Sequence, residues 1–223
     1  MHSAIKIRSE YSAQRRSHPP NPALKPALEV VQKARLDLKQ LGKVGDLGCG
    51  KLRHYNVLAP SSDVLYLIDT EDQLSATHFD AGEEYSIRKV AECASNHGKK
   101  VRVLSSSEFA SSNLGLDLIV CSAVLDVVLP AVRQEVVRSA VNNLGQRGHL
   151  IVIAPRNDST ILKRCGPNNA FHDGHQFLHH GVHTFYHNFR DHRPIIDSCK
   201  RAGASLVKDL SVYRQVCLIF KRR

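Results

Sequence analysis

A chain of 223 residues, 42% of them hydrophobic, can bury one substantial core, and it has no apolar run long enough for a transmembrane helix. Its 31 lysines and arginines against 21 aspartates and glutamates give a net charge of +10, which favours acidic partners such as nucleic acid or phosphorylated and carboxylated small molecules. The six cysteines form no C-x-x-C pair and several lie in apolar runs. Together with the lack of an apolar signal segment, they predict buried thiols in a reducing compartment, the cytoplasm.

The first 42 residues are predicted to form an arm and a helix. Residues 1–23 are polar and contain prolines, and LKPALEVVQKARLDLKQLG has apolar positions at helical spacing. Strands and helices then alternate. VGDL, VLYLID, VRVL, LDLIVCS and HLIVIAP are predicted strands, and helices are predicted in KLRHYNVLA, in residues 71–79 and 83–98, and around Pro130. This alternation predicts an α/β fold with a doubly wound parallel sheet.

The C-terminal part departs from the alternation. SLVKDL and YRQVCLIFK are separated by too few residues for a helical crossover, so they are predicted to form an antiparallel hairpin at the sheet edge. Before them, residues 155–193 form a polar, histidine-rich insertion followed by the helix RPIIDSCKRAG. Residues 43–223 are therefore expected to form one domain with an insertion at 155–193.

The segment VGDLGCGKLR predicts a strand that enters a glycine turn before a helix. A dinucleotide loop needs a third glycine where this chain has Arg53, and the P-loop pattern is absent too. Asp46 would repel a pyrophosphate, yet it could accept hydrogen bonds from an ammonium group. Asp69 ends the next strand, where dinucleotide folds bind a ribose. A ligand with an ammonium group and a ribose but no phosphate is S-adenosylmethionine.

From about residue 43 to the C-terminus the sequence resembles the class I S-adenosylmethionine-dependent methyltransferases. The resemblance lies in VGDLGCG, in YLIDTEDQL, in DLIVCSAVLDVV and in the terminal hairpin. It implies a Rossmann-like methyltransferase fold, with a mostly parallel seven-stranded sheet, an antiparallel last strand and helices on both faces. It also implies S-adenosylmethionine as cofactor, bound by Asp46, Gly48, Cys49, Gly50, Asp69, Thr70, Ser106, Ser107, Cys121 and Ser122. The sequence departs from the family pattern at Leu52, where the third glycine of G-x-G-x-G is usual.

The fourth predicted strand limits the methyl acceptor. It lacks the [DNS]-P-P-[YFW] motif of exocyclic amino methyltransferases of DNA. A cytosine C5 methyltransferase would need a proline directly before its nucleophilic cysteine, and Cys121 has none. Methylation of an oxygen or nitrogen is left, with a small molecule as the expected acceptor. An RNA methyltransferase, motivated by the charge, and a catalytically silent cofactor-binding partner subunit are the alternatives. No membrane partner is expected, and the sequence does not predict the oligomeric state.

Three side chains are candidates for catalysis: Asp126 just after the fourth strand, and His183 and Tyr186 in the insertion. Asp126 could instead cap a helix, and the insertion could be a polar loop without chemistry. His179, His183 and His187 would share one helical face, which suggests a metal site, but Gly181 interrupts the pattern. The predicted site therefore contains no metal.

Overall fold

The computed structural model describes residues 16–35, 41–156, 170–171, 173–179, 182–187, 189 and 191–223. The predicted arm up to residue 15 lies outside them. The helices are α1 (Leu24–Ala34), α2 (Tyr55–Ser61), α3 (Glu71–Ser75), α4 (Ile87–Asn96), α5 (Ser106–Ala110), α6 (Pro130–Asn143) and α7 (Arg193–Arg201). The strands are β1 (Lys43–Leu47), β2 (Val64–Asp69), β3 (His78–Asp80), β4 (Glu83–Tyr85), β5 (Lys100–Ser105), β6 (Leu116–Ser122), β7 (Leu144–Pro155), β8 (Ala170–Phe171), β9 (Gly174–His179), β10 (Val182–Tyr186), β11 (Ala204–Asp209) and β12 (Gln215–Arg222).

The main sheet has seven strands in the order β11-β12-β7-β6-β1-β2-β5. β1 pairs in parallel with β2 and β6, β2 with β5, and β6 with β7. The last strand, β12, runs antiparallel to β7 and to β11. The predicted sheet, including its terminal hairpin, is therefore confirmed.

Helices cover both faces of this sheet, as predicted. In β2, Leu65 and Leu67 join the core on one face, while Tyr66 and Ile68 join the core on the other. The first core includes buried residues of α1, α2 and α4, and the second includes those of α5, α6 and α7. A strand buried on both faces has to be apolar throughout, which explains the run VLYLID. No helix in the described part of the chain is long and apolar enough to cross a membrane.

The helices predicted at 71–79 and 83–98 are wrong in part. Only α3 and α4 are helical, and between them β3 and β4 form an antiparallel hairpin. Its turn residues, Ala81 and Gly82, have φ angles of 50° and 83°. Two positive φ angles are typical of the tight turns that connect hairpin strands.

The predicted helix KLRHYNVLA also differs, because α2 begins only at Tyr55. Residues 51–54 form turns, and Leu52 has a φ angle of 62°. Leu52 therefore adopts a left-handed backbone at the position where the G-x-G-x-G pattern of the methyltransferases that the sequence resembles has its third glycine. At the other end, α2 includes Pro60 and ends one residue later.

The insertion contains a three-stranded antiparallel sheet in the order β10-β9-β8. The sequence analysis did not predict these strands within the polar, histidine-rich insertion. His179 lies in β9 and pairs with Val182 of β10, the strand that also contains His183. The helical histidine face that suggested a metal site does not form.

Candidate active site

A cavity of about 480 Å³ lies at the carboxyl ends of β1, β2 and β6, with α5, just after β5, contributing to its wall. β1 lies between β2 and β6, and from this point the chain order of the strands runs outward in both directions. In open α/β sheets, such a switch point leaves a crevice that binds ligands. The topology alone therefore places the candidate site here.

The polar end of the cavity is formed by the residues that follow β1, β2 and β5. They are Gly48, Cys49, Gly50, Lys51, Arg53, His54, Asp69, Thr70, Gln73 and Ser106. Gly48 has a φ angle of 74°, and a Cβ atom there would lie 2.2 Å from Cγ2 of Val124. Two features of this position therefore favour glycine, namely the left-handed backbone and the close approach of Val124.

Asp69 connects the glycine turn (residues 48–53) to the end of β2. Its Oδ2 accepts a hydrogen bond of 2.7 Å from the Gly50 amide, and its Oδ1 accepts one of 2.8 Å from the Thr70 amide. Thr70 caps α3 by accepting from the Gln73 amide. These bonds orient the Asp69 carboxylate in the cavity wall.

Asp46 and His54 lie buried beside the glycine turn. Asp46 is 1% exposed and His54 is 4% exposed, and Nδ1 of His54 lies 3.9 Å from Oδ1 of Asp46. His54 contributes to the cavity wall, and Asp46 lies beside His54 without being part of that wall. Between them in sequence, Cys49 has its pKa raised by burial and then by the charges of Asp69 and Asp46, so it stays a neutral thiol.

The apolar end of the cavity is formed by the segment between β6 and α6 and by α6 itself. Its wall includes the valines Val124, Val127, Val128, Val132 and Val136. Asp126 lies among them and is 2% exposed, and its Oδ1 has no hydrogen-bond partner in the described part of the chain. Burial raises the pKa of Asp126 to about 7, against the opposing effects of its backbone hydrogen bond and the charge of Arg133. A carboxyl group of this kind titrates near neutral pH.

The insertion is attached to this end of the cavity by Arg133 of α6. The buried guanidinium group donates to the carbonyl oxygens of Leu125 and Val128, and at 2.6 Å to the carboxylate of Asp173. The His187 amide donates to the carbonyl oxygen of Asp126 at 2.6 Å. These bonds hold the end of β10 against the segment after β6. Tyr186, 4% exposed, forms part of the cavity wall there.

Residues 16–21, which precede α1, contact side chains in and around the glycine turn. The Arg16 guanidinium carbon lies 5.7 and 5.8 Å from the ring centres of Tyr55 and Tyr85. The Arg53 side chain donates to the carbonyl oxygen of Pro19 at 2.7 Å, and Asn21 contributes to the cavity wall. The segment before α1 therefore belongs to the site.

Similarity to solved structures identifies the fold. The chain is 12% identical to an S-adenosylmethionine-dependent methyltransferase from Clostridium acetobutylicum, with a TM-score of 0.62 over 88% of this chain and 90% of that one. It is 13% identical to 1,6-didemethyltoxoflavin-N1-methyltransferase from Burkholderia thailandensis, crystallised with 1,6-didemethyltoxoflavin and S-adenosylhomocysteine. The TM-score is 0.59 over 90% of this chain and 78% of that one. It is 18% identical to magnesium protoporphyrin IX methyltransferase from Synechocystis, with bound S-adenosylhomocysteine, and the TM-score is 0.57 over 89% of this chain and 83% of that one. This chain has the class I methyltransferase fold. No family model and no curated protein matches its sequence.

Within this methyltransferase fold, most of the residues predicted for the site lie together. The wall of the cavity includes Gly48, Cys49, Gly50, Asp69, Thr70, Ser106, Ser122, Asp126 and Tyr186. Asp46, Ser107 and Cys121 are not part of that wall, and Cys121 packs in the core between the sheet and α6. His183 belongs to β10, and its side chain lies outside the described part of the structure.

The sequence reasoning missed His54 and Arg133. Both side chains are polar and buried, and both are placed by tertiary contacts, at the polar end and beside the insertion. Arg214 and Gln215, from the terminal hairpin, also line the cavity without having been predicted. After the second glycine, the sequence reasoning noted only that Leu52 and Arg53 stand where two known glycine patterns have a third glycine.

Proposed function

We propose that this protein transfers a methyl group from S-adenosylmethionine to an oxygen or nitrogen atom of a small-molecule acceptor. The observation that carries the proposal is a cavity with two chemically different ends. The glycine turn and Asp69 form the polar end, and the buried carboxyl group of Asp126 lies among valines at the apolar end. Such a cavity can hold a polar cofactor next to a mainly apolar acceptor.

The polar end has groups that fit the parts of S-adenosylmethionine. We assign Asp69 to the ribose hydroxyl groups, because it lines the cavity at the end of β2 and the Gly50 and Thr70 amides orient its carboxylate. The missing side chain at Gly48 leaves the backbone accessible to the methionine part. Both carboxyl oxygens of the buried Asp46 lack a partner in the described part of the chain, and an ammonium group would satisfy them. We assign Thr70 and Ser106 to the adenosine part, since they directly follow β2 and β5, the two strands beyond β1.

Asp126 is the proposed proton acceptor. The cofactor would supply the methyl group. The acceptor atom bonds to the methyl carbon through its lone pair while the carbon–sulfur bond breaks, and the electron pair of the broken bond goes to sulfur. The acceptor must also lose a proton, which Oδ1 of Asp126 can take. A pKa of about 7 suits a general base at neutral pH. We expect turnover to rise with pH through this value. The Asp126→Asn variant should lose about 100-fold in turnover and still bind S-adenosylhomocysteine.

The end of β10 is proposed to complete the acceptor pocket. Tyr186 offers an aromatic ring with a hydroxyl group, and the valines offer apolar contact area. His183 stays a proposal from the sequence. Structural neighbours methylate small molecules, by their names 1,6-didemethyltoxoflavin and magnesium protoporphyrin IX. This supports a small-molecule acceptor, and the valine wall favours one with a substantial apolar surface.

Labelled S-adenosylmethionine tests the proposal. The protein is incubated with methyl-labelled cofactor and with separate cell-extract fractions of small molecules, RNA and protein. We expect label in the small-molecule fraction, lost in the Asp126→Asn variant. The net charge of +10 favours RNA as the second candidate, and label in the RNA fraction alone would replace the small-molecule acceptor by that one. Binding of cofactor without label transfer to any fraction would indicate a silent partner subunit.

A further inference from the structure

His54 is the buried side chain of the polar end for which the proposed function gives no role. It is the residue before the first turn of α2, and its side chain makes no capping hydrogen bond there. The ring is almost fully buried, yet it forms part of the cavity wall. Nε2 has no hydrogen-bond partner in the described part of the chain. A buried ring nitrogen without a hydrogen-bond partner destabilises the folded chain unless a ligand supplies the partner.

Asp46 is the neighbour of this ring, and the two are not joined by a hydrogen bond. The 3.9 Å between His54 Nδ1 and Asp46 Oδ1 is longer than a hydrogen bond, and neither Asp46 oxygen has another partner in the described residues. A purely structural aspartate–histidine pair would close this distance and satisfy both groups. Here a carboxylate and an imidazole lie side by side with hydrogen-bonding capacity left over.

A ligand that satisfies both groups needs opposite charges close together. The carboxylate of Asp46 accepts from a cationic donor, and an imidazole N–H donates to an anion. The ammonium and carboxylate groups on the α-carbon of an amino acid meet this requirement. The methionine part of S-adenosylmethionine is such a group. The glycine turn that would hold it lies between Asp46 and His54 in the sequence.

We infer that His54 binds the α-carboxylate of S-adenosylmethionine through Nε2, beside Asp46 on the ammonium group. The two residues together make the site selective for a cofactor with an intact amino acid end. This inference rests on the proposed function, because it assumes that the cofactor binds at the polar end. Lys51 and Arg53 also line the cavity and are the competing carboxylate partners, although the Nε of Arg53 already donates to Pro19.

Calorimetric titration with three ligands tests this role. S-adenosylmethionine has the carboxylate, its decarboxylated analogue lacks only that group, and 5′-methylthioadenosine lacks the whole amino acid end. We expect the wild type to prefer the first over the second by about tenfold or more, the value of one hydrogen bond to a charged group. His54→Phe should remove this preference by weakening only S-adenosylmethionine. His54→Gln, which keeps a donor, should restore part of it.

Two matched variants serve as controls. His149→Phe removes another buried imidazole, on β7 away from the cavity, and should leave all three affinities unchanged. Lys51→Met removes a neighbouring cation and should keep the preference. If His54→Phe retains the preference, or weakens all three ligands equally together with a lower melting temperature, the inference is wrong. If Lys51→Met alone removes the preference, the carboxylate partner is Lys51. If the wild type binds none of the ligands, the proposed function fails.

Discussion

Replacement of Asp126 by asparagine is expected to stabilise the protein, and increasingly so at higher pH. The carboxyl group is buried, and burial raises its pKa to about 7 from the ordinary 3.8. Because the folded pKa is higher than the unfolded pKa, the folded state binds the proton more tightly. The stability from this proton is complete below about pH 3.8 and is lost as the pH rises through about 7. Asparagine has a similar shape and does not titrate.

The size of the effect follows from the two pKa values, at about 1.36 kcal/mol for each tenfold difference in proton affinity. At pH 5, ionisation of Asp126 in the unfolded chain lowers the free energy of unfolding by about 1.7 kcal/mol relative to a neutral side chain. At pH 8 the same difference is about 4 kcal/mol, because the folded carboxyl group must then ionise in its buried site. The stability advantage of Asp126→Asn should therefore grow by about 2–3 kcal/mol between pH 5 and pH 8.

Urea unfolding of the wild type and the variant at pH 5, 6.5 and 8 measures this growth, because the other titrating groups cancel in the difference. Glu108→Gln is the matched control. Hydrogen bonds from the backbone and the side chain of Ser105 lower the pKa of Glu108, and no histidine is among the groups that shift it. Its variant should therefore differ from the wild type by a nearly constant amount from pH 5 to 8. A constant difference for Asp126→Asn as well would refute a raised pKa at this position.

Three further outcomes are expected. Gly48→Ala should weaken S-adenosylhomocysteine binding at least about tenfold, whereas Gly82→Ala, with a similar positive φ and open space around it, should lose stability alone; equal binding in both would contradict the role of the glycine turn. Arg133→Met should lower the free energy of unfolding by about 3 kcal/mol in denaturant titrations, since buried carbonyl groups lose their donor, and a loss under about 1 kcal/mol would mean that the insertion is held otherwise. Tyr186→Phe should reduce turnover in a methyl-transfer assay and leave cofactor affinity unchanged; unchanged turnover would place the acceptor elsewhere.

The main sheet could be predicted because its central strands are short, continuous apolar runs. A strand such as VLYLID has to be apolar on both faces when helices cover both, and the same run would be too short for a buried helix. The hairpin β3–β4 was missed because its strands have three residues each. Its signal was the turn Ala81-Gly82, which reads as a helix stop as readily as a hairpin turn.

The polar end of the cavity could be predicted in part because it depends on local backbone geometry. Gly48 and Gly50 adopt positive φ angles directly after β1, and Asp69 ends the neighbouring strand. His54 could not be predicted, because its importance comes from burial next to Asp46 and no sequence pattern encodes that contact. The strands of the insertion were not predicted, since they pair with one another and their polar residues hide the alternation.

Isothermal titration of the purified protein with S-adenosylhomocysteine tests the central claim most directly. A cofactor site at the glycine turn predicts saturable one-to-one binding, weakened by Gly48→Ala and unchanged by Gly82→Ala. The product form is suitable because binding is then measured without turnover or a known acceptor. The absence of binding to wild-type protein that unfolds cooperatively, and is therefore folded, would contradict the account.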